Sequence, residues 1–239
     1  MIRVLLVDSD QNTCEQLKQH LEQEGMRVQL AHDGKTGLKH GLSREHDFVV
    51  LDLTLPELTG LEVTRRLRAN SSVGILMISD GNEEVDKIIG LELGADDCLA
   101  KPFNPRELVA RIRAISWRRT PWLARNSELA PEYLEVGDLS LDERSRTCLR
   151  RAESIDLTTA EFDLLSVFLR CSGRAIHRRD LLKRVLEREY SPFDRTIDVH
   201  VCNLQRKLGP LPDGAKRIRA VRRVGYMYVH SGACQPLAD

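Results

Sequence analysis

The chain has 239 residues, and its 36 basic and 36 acidic residues leave a formal net charge of zero, so total charge identifies no partner. No apolar run approaches the roughly 18 residues of a membrane-spanning helix, and Asp8 interrupts the only apolar stretch near the N-terminus, so neither a transmembrane helix nor a signal peptide is expected. The six cysteines form no CxxC pair and no metal spacing with histidine, which argues against a disulfide scaffold. We expect a cytoplasmic protein of two domains.

Residues 1–116 alternate strand and helix signals five times. Asp10 fits the N-cap of the first helix, Gly25 its end, and Pro105 the first turn of the last helix. The alternation predicts an α/β domain with a five-stranded, doubly wound parallel sheet. The predicted strands are 4–7, 28–30, 48–51, 75–78 and 98–100, and the predicted helices lie near 12–24, 35–43, 60–68, 84–93 and 105–116.

Four polar side chains follow predicted strands of this sheet. Asp8, Asp52, Ser79 and Lys101 each come at or just after the end of an apolar run. The carboxyl ends of parallel strands meet at one edge of a sheet, where α/β domains place their chemistry. Two acids, a hydroxyl and an amine at that edge predict a phosphoryl-transfer site in which an aspartate accepts the phosphoryl group.

The second half of the chain shows a different pattern. Between Arg118 and Pro131 the periodicity stops, which predicts a linker at 119–131. Thr158 and Glu161 form a capping box that opens a helix, and further helices are predicted at 178–188 and 195–208. Short strands are expected near 133–136, 139–141, 147–150 and 155–157, a hairpin at 221–226, and a disordered tail at 231–239. Three helices followed by a hairpin are the plan of a winged helix-turn-helix domain, here at 132–230.

The charge of this half favours a polyanionic partner. Residues 174–223 hold 14 basic and 6 acidic side chains. In the third helix a core stripe is predicted at Ile197, Val201, Leu204 and Leu208. At 100° per residue the opposite face carries Arg195, Val199, Cys202, Asn203 and Arg206, with Lys207 on one flank. Arginine, asparagine and small apolar groups suit the major groove, so this face predicts a reader of duplex DNA.

The chain resembles the two-component response regulators of the OmpR/PhoB group over about residues 2–230. The resemblance is carried by Asp52 to Pro56 with Gly60, by Gly90 to Asp97 leading to Lys101-Pro102-Phe103, by Leu157 to Phe162, and by Arg195 to His200 through Lys207-Leu208. Residues 191–195 and Asn203-Leu204 further resemble the CpxR-like branch. The resemblance implies a receiver domain at 1–118, sequence-specific DNA binding and transcription regulation, rather than an enzyme.

The resemblance also implies roles for residues of the receiver. Asp52 is expected to be the phosphoacceptor, Ser79 the switch hydroxyl and Lys101 the phosphate-contacting amine. Mg²⁺ is expected on Asp8, Asp52 and the backbone carbonyl of Thr54. A homodimer is expected through paired charges of the receiver, namely Lys87, Asp96, Asp97, Glu107, Arg111 and Arg118.

In the second domain the resemblance implies contacts with double-stranded promoter DNA. The residues concerned are Arg195, Thr196, Val199, His200, Asn203, Arg206, Lys207, Arg222 and Arg223. The further expected partners are a sensor histidine kinase and RNA polymerase, and no membrane.

Three positions of the receiver depart from the family pattern. Ser9 stands where the family has a second acid, which weakens the expected Mg²⁺ site; Asp80 adds negative charge beside Ser79; and Cys98 replaces the usual switch aromatic. These departures leave two alternatives open. One is a regulator that binds DNA without phosphorylation. The other is a phosphatase of the haloacid-dehalogenase type that uses Asp8. The order of residues argues against it, because Lys101 follows the acidic pair Asp96-Asp97, whereas in that family the lysine precedes the acidic pair.

Overall fold

The computed structural model describes residues 1–80, 84–119, 133–188 and 194–229. The chain divides into two compact units, Met1–Trp117 and Arg118–Asp239. The predicted linker, apart from Arg119, and the predicted tail lie outside the described residues. No helix among the described residues is long and apolar enough to cross a membrane.

The first unit is a parallel sheet with helices on both faces. The sheet has the order β2-β1-β3-β4-β5, and every pairing in it is parallel, which confirms the predicted α/β fold. Its elements are β1 (Arg3–Val7), α1 (Gln11–Gln23), β2 (Arg27–Ala31), α2 (Gly34–Gly41), β3 (Phe48–Asp52), α3 (Gly60–Asn70), β4 (Gly74–Asp80), α4 (Glu84–Glu92), β5 (Asp97–Lys101) and α5 (Pro105–Arg119).

Apolar packing covers both faces of this sheet. On one face, Val4 and Leu6 join a buried cluster with residues of α1 and α5. On the other, α4 lies so close to β4 that a Cβ at Gly90 would be 1.6 Å from Met77 Cε. Burial on both faces explains why the strands read as continuous apolar runs rather than as alternating ones. This packing leaves the carboxyl ends of the strands to carry the polar side chains.

The second unit has two antiparallel sheets and three helices. A four-stranded sheet has the order β6-β7-β8-β9, and a three-stranded sheet has the order β10-β12-β11. The elements are β6 (Tyr133–Val136), β7 (Leu139–Asp142), β8 (Thr147–Arg150), β9 (Glu153–Ser154), α6 (Thr159–Arg170), β10 (Ala175–His177), α7 (Arg178–Leu186), α8 (Thr196–Leu208), β11 (Ile218–Val221) and β12 (Gly225–Tyr228). The predicted capping box opens α6, with Thr158 and Glu161 each bonded to the other's backbone N–H.

Two elements of this unit differ from the sequence prediction. The fourth strand was expected at 155–157 but lies at Glu153–Ser154, because Arg151 and Ala152 adopt positive φ values of 50° and 69° and close a two-residue hairpin turn. Strand β10 was not predicted. It has three residues, and its partner β12 lies about fifty residues further along the chain, so no local sequence pattern predicts it.

The core of the second unit lies between its helices and sheets. The predicted stripe of α8, Ile197, Val201, Leu204 and Leu208, is buried in one cluster with apolar residues of α6 and α7. The stripe prediction is therefore confirmed. The outer faces of α8 and the turn between β11 and β12 remain to carry the charged side chains.

Candidate functional site

Three predicted site residues meet at the carboxyl edge of the parallel sheet. Asp52 is the last residue of β3, Lys101 is the last of β5, and Asp8 directly follows β1. Asp8 and Asp52 are buried, with 2% and 5% of their surface exposed. Lys101 Nζ lies 3.3 Å from Asp8 Oδ2 and makes a shorter contact with Asp52 Oδ2. The structure therefore places two carboxylates around one ammonium group.

Backbone groups orient both carboxylates. The backbone N–H of Thr54 donates to Asp52 Oδ1 at 2.6 Å, and that of Asp10 donates to Asp8 Oδ1 at 2.9 Å. Each acid thus has one oxygen held by the chain and the other directed to Lys101. Since Thr54 is hydrogen-bonded to Asp52 in this way, its backbone lies beside that carboxylate, and the Thr54 carbonyl was predicted to bind a cation there.

Burial and charge act in opposite directions on this cluster. Burial raises the pKa of Asp52, because loss of water disfavours the charged form more than the hydrogen bonds from Lys101 and Thr54 favour it. Burial by itself lowers the pKa of Lys101, but the hydrogen bond and charge of Asp52, together with Asp8, outweigh it and the net pKa is raised. Lys101 therefore remains an ammonium, and its hydrogen bond and charge partly offset the effect of burial on the pKa of Asp52.

Ser79 brings an unsatisfied hydroxyl to the same edge. It lies on β4, one residue beyond Ile78, which pairs with Asp52, and it is buried. Its Oγ has no hydrogen-bond partner among the described residues. Burying a polar atom without a hydrogen-bond partner costs free energy, so such atoms are rare and need an explanation. A hydroxyl kept for an oxygen of an incoming group is such a reason, and it fits the role predicted for Ser79.

The donor set fits a hard divalent cation. Mg²⁺ binds oxygen, commonly through one or two carboxylates, and keeps several waters. Asp8 and Asp52 supply two carboxylates, and no group of three or more metal-binding side chains occurs in the described part of the chain. Asp10 does not replace the missing third acid, because its carboxylate caps α1 and accepts bonds from the backbone of Asn12 and Thr13. The hydrogen bond from the Thr13 side chain lowers the pKa of Asp10.

The predicted dimer charges are only partly at the surface. Asp96 is 1% exposed and accepts bonds from Arg68 Nη2 and from the backbone N–H of Ile75, each at 2.9 Å. Asp96 therefore does not lie at the surface, where a charge that pairs across a dimer was expected, because this carboxylate satisfies buried donors inside its own unit. Asp97 is also buried and pairs with Arg111 of the same chain.

The remaining dimer residues are more accessible. Glu107 is exposed and also pairs with Arg111, and Lys87 is half-buried on α4. The side chain of Arg118 lies outside the described part of the chain. Lys87 and Glu107 are thus the predicted pair that the described surface leaves available.

The outer face of α8 is narrower than predicted. Arg195, which precedes the helix, is exposed, as are Cys202 and Arg206, but Asn203 is only 2% exposed. The expected outward positions of Val199 and Asn203 are wrong, because both residues are buried. His200, which was expected among the DNA contacts, is buried as well. A helical wheel predicts one buried stripe, whereas α8 packs against both α6 and α7. Cys202 therefore shares the open face with the two arginines.

Three further residues of the predicted DNA set have identified contacts. Lys207 Nζ lies 2.7 Å from Glu161 Oε2, so its charge is paired inside the domain. Thr196 is half-buried at the start of α8, and its backbone N–H donates to Asp194. Arg206 Nη2 donates to Asn203 Oδ1 at 3.0 Å, so the buried amide orients an exposed guanidinium. Asn203 thus supports a residue of the open face without lying on it.

The wing arginines lie where they were predicted. Arg222 and Arg223 are both exposed in the turn between β11 and β12, and Arg223 has a φ of 62°.

The sequence did not reveal two residues that bind predicted site residues, namely Arg68, which binds Asp96, and Glu161, which binds Lys207. They are 28 and 46 residues from the groups that they bind, and no motif links them.

Comparison with known proteins agrees with this architecture. Residues 4–113 match the response regulator receiver domain, and residues 152–228 match the domain described as transcriptional regulatory protein, C terminal. The chain is 39% identical over 231 residues to the transcriptional regulatory protein CpxR of Escherichia coli strain K12, which covers 96% of this chain and 99% of the relative.

Two solved structures extend the likeness to nearly the whole chain. A mutant of RitR is 26% identical, with a TM-score of 0.73 and coverage of 97% of this chain and 100% of the other. The response regulator DrrB of Thermotoga maritima, an OmpR/PhoB homolog, is also 26% identical, with a TM-score of 0.50 and coverage of 96% and 99%. The chain therefore belongs to the two-component response regulators of the OmpR/PhoB type, in which a receiver domain is joined to a DNA-binding, transcription-regulating domain.

Proposed function

We propose that Asp52 accepts a phosphoryl group and that this modification controls DNA binding by the second domain. The observation that carries the proposal is the contact of Lys101 with both Asp52 and Asp8, beside the unsatisfied hydroxyl of Ser79. An acid, an ammonium and a free hydroxyl at one edge supply a nucleophile and two donors for phosphate oxygens. The partners of the protein in this proposal are a sensor kinase, which supplies the phosphoryl group, and promoter DNA. Because both the DNA and the phosphoryl donor are met inside the cell, the proposed location is the cytoplasm.

The residues divide the chemistry among them. A carboxylate oxygen of Asp52 forms a bond to phosphorus while the bond from phosphorus to the donor's leaving atom breaks, which gives an acyl phosphate; that atom is an imidazole nitrogen in the phosphohistidine of a sensor kinase and an oxygen in acetyl phosphate. Lys101 and Ser79 then donate hydrogen bonds to the oxygens of the bound phosphoryl group. Mg²⁺ held by Asp8, Asp52 and the Thr54 carbonyl would offset the negative charge of the donor. Ser9 supplies a hydroxyl where a third carboxylate would stand, so this binding is weaker than with a second acid directly after Asp8.

Intact-mass measurement after incubation with acetyl phosphate and Mg²⁺ tests the acceptor. The wild-type chain should gain one phosphoryl group and Asp52→Ala should not. Asp10→Asn is the matched control, because it removes another carboxylate of the same edge while asparagine still caps α1. An adduct on Asp8, or one that survives in Asp52→Ala, would contradict the proposal and favour the phosphatase-like alternative. An unmodified wild-type chain would contradict it in favour of regulation without phosphorylation.

For DNA binding we propose that α8 and the wing contact one duplex. Arg195 and Arg206 are exposed at α8, and Arg222 and Arg223 are exposed in the wing. Arginine binds phosphates through its charge and guanine through its fork of donors. The buried positions Val199, His200 and Asn203 shape this surface rather than touch base edges. The wing turn fits phosphate or minor-groove contacts, which position a protein and carry little sequence information.

Salt titration tests the wing contact. Arg223→Ala should weaken binding to specific and scrambled duplexes alike and reduce the slope of log affinity against log salt by about one unit. Lys207→Ala is the matched control, since Glu161 already pairs its charge. A loss for Arg223→Ala on the specific duplex alone would contradict a phosphate-type contact. An equal change of slope for Lys207→Ala would contradict the assignment of the DNA surface.

We further propose that the receiver forms a homodimer through α4 and α5. The support is the opposite charge of Lys87 on α4 and Glu107 on α5, both accessible to a second copy. An isologous interface needs such self-complementarity. Asp97 at the start of β5 is already paired with Arg111 within the chain, so this ion pair holds the guanidinium of Arg111 in place on α5. RNA polymerase is the remaining partner that transcription regulation implies.

A further inference from the structure

Three side chains from separate elements of the second unit meet where two of them donate to a carboxylate oxygen of the third. Arg178 begins α7, Asp198 lies in the first turn of α8, and Tyr226 lies on β12. Arg178 Nε donates to Asp198 Oδ1 at 2.9 Å, and the Tyr226 hydroxyl donates to the same oxygen. Arg178 Cζ also lies 4.7 Å from the centre of the Tyr226 ring, which is a cation–π contact. We call these three residues the junction, because they join two helices to the wing strand.

Backbone contacts close the same junction. The backbone N–H of Arg178 donates to the carbonyl of Val224 at 3.3 Å, and His177 pairs with Gly225. A Cβ at Gly225 would lie 2.1 Å from the carbonyl oxygen of Ile176, so only glycine lets β12 come this close to β10. The start of β12 is therefore fixed against the start of α7.

Tyr226 and Arg178 both keep their protons at neutral pH, so both can donate hydrogen bonds to Asp198. Burial, and then the hydrogen bond and charge of Asp198, raise the pKa of Tyr226 to about 12. The phenol is therefore protonated at neutral pH and can donate. The hydrogen bond with Asp198 also raises the pKa of Arg178. The charge of Asp198 is compensated by Arg178, so a carboxylate at the start of the DNA-reading helix is held rather than left to repel phosphates.

We propose that the junction is a positioning device, in which Arg178 and the Tyr226 hydroxyl tie Asp198 of α8 to β12 and so set the place of the wing arginines relative to the open face of α8. The inference rests on the proposed DNA contacts of that face and of Arg223. Two contact elements on one body strengthen each other only when the geometry lets both engage one duplex. Arg178 and Tyr226 act through this geometry, so they are positioning residues rather than contact residues.

The test measures how much Arg223 contributes to binding in different backgrounds. The probe is a duplex selected with the wild-type full-length chain from a random-sequence library. Tyr226→Phe removes one hydroxyl and keeps the ring over Arg178. Tyr228→Phe is the matched control, because it removes a hydroxyl from the same strand that contacts Arg217 instead. In each background the dissociation constant is measured with and without Arg223→Ala, and thermal unfolding checks the fold.

The positioning role predicts an interaction between the hydroxyl and the wing. Arg223→Ala should weaken binding by the same factor in the wild type and in Tyr228→Phe, and by a factor at least about twofold smaller in Tyr226→Phe. An unchanged factor in a folded Tyr226→Phe overturns the inference. A factor that falls equally in both tyrosine variants overturns it too, because general loosening of β12 would then be the cause.

Two outcomes separate this inference from the proposed contact of Arg223 with DNA, on which it rests. If Arg223→Ala has no effect in the wild type, the proposed wing contact fails, and the positioning inference fails with it. If Arg223→Ala acts normally and only the interaction with Tyr226→Phe is missing, the wing contact stands and the junction is merely structural. Should Tyr226→Phe not fold, Arg178→Lys takes its place, since lysine keeps the charge but loses the planar fork.

Discussion

Replacing Asn203 with alanine tests whether this residue is excluded from the open face of α8, as the structure shows. Asn203 is 2% exposed, and its Oδ1 accepts a hydrogen bond from Arg206 Nη2 at 3.0 Å. The change removes a buried amide and a bond from a charged donor, which is worth about 1.5–3 kcal/mol when both groups are buried. Arg206 is exposed and regains water, while the lost volume leaves a small cavity. We expect a loss of about 1.5–2.5 kcal/mol in the stability of the second unit.

Cys202→Ala is the matched control, one residue away on the same helix. Cys202 is exposed, so the change should alter stability by no more than about 0.5 kcal/mol. Hydrogen exchange of peptides from 196–208 in the full-length chain, followed at rising urea, gives the free energy of opening of α8 in each variant. Superimposable exchange for the two variants would refute the burial argument and return Asn203 to the outward face that the helical wheel predicts.

Three further expectations concern cation binding, acid stability and assembly. Ser9→Asp should raise the affinity for Mg²⁺ measured by calorimetry, because it adds a carboxylate beside the two acids; equal affinities would remove Ser9 from the site. Arg217 is 1% exposed and bidentate to Asp138, so Arg217→Met should cost about 3 kcal/mol at neutral pH in denaturant unfolding. Arg217 lowers the folded-state pKa of Asp138, so this stability is present above the unfolded value of 3.8 and is lost as pH falls through the folded value; a variant with unchanged acid sensitivity would contradict the pairing. Lys87→Glu should weaken dimerisation in sedimentation, and adding Glu107→Lys should partly restore it; dimers of unchanged strength in both cases would exclude this face.

Local signals in the sequence were sufficient for most of the elements, β9 and β10 apart, and for the polar edge of the parallel sheet. A strand that ends in a carboxylate identifies itself from neighbouring residues, and Asp52 and Asp8 lie where that rule puts them. The capping box of Thr158 and Glu161 also depends on residues only three positions apart, and it forms as predicted. Periodicity likewise identified the buried stripe of α8. These features are set by interactions within one element or by strand order, so they can be predicted without the rest of the chain.

Tertiary structure alone decided which polar residues remain accessible. The buried pair of Asp96 and Arg68 spans 28 residues, and the pair of Lys207 and Glu161 spans 46. Asn203 became buried because α8 contacts more than one helix, which the period of a single helix cannot encode. Burial depends on which distant elements pack together, and only the folded chain brings those elements into contact. For this reason the sequence determined the order of the elements and the polar edge of the parallel sheet, whereas the folded structure determined which charges lie at the surface, where a second molecule can meet them.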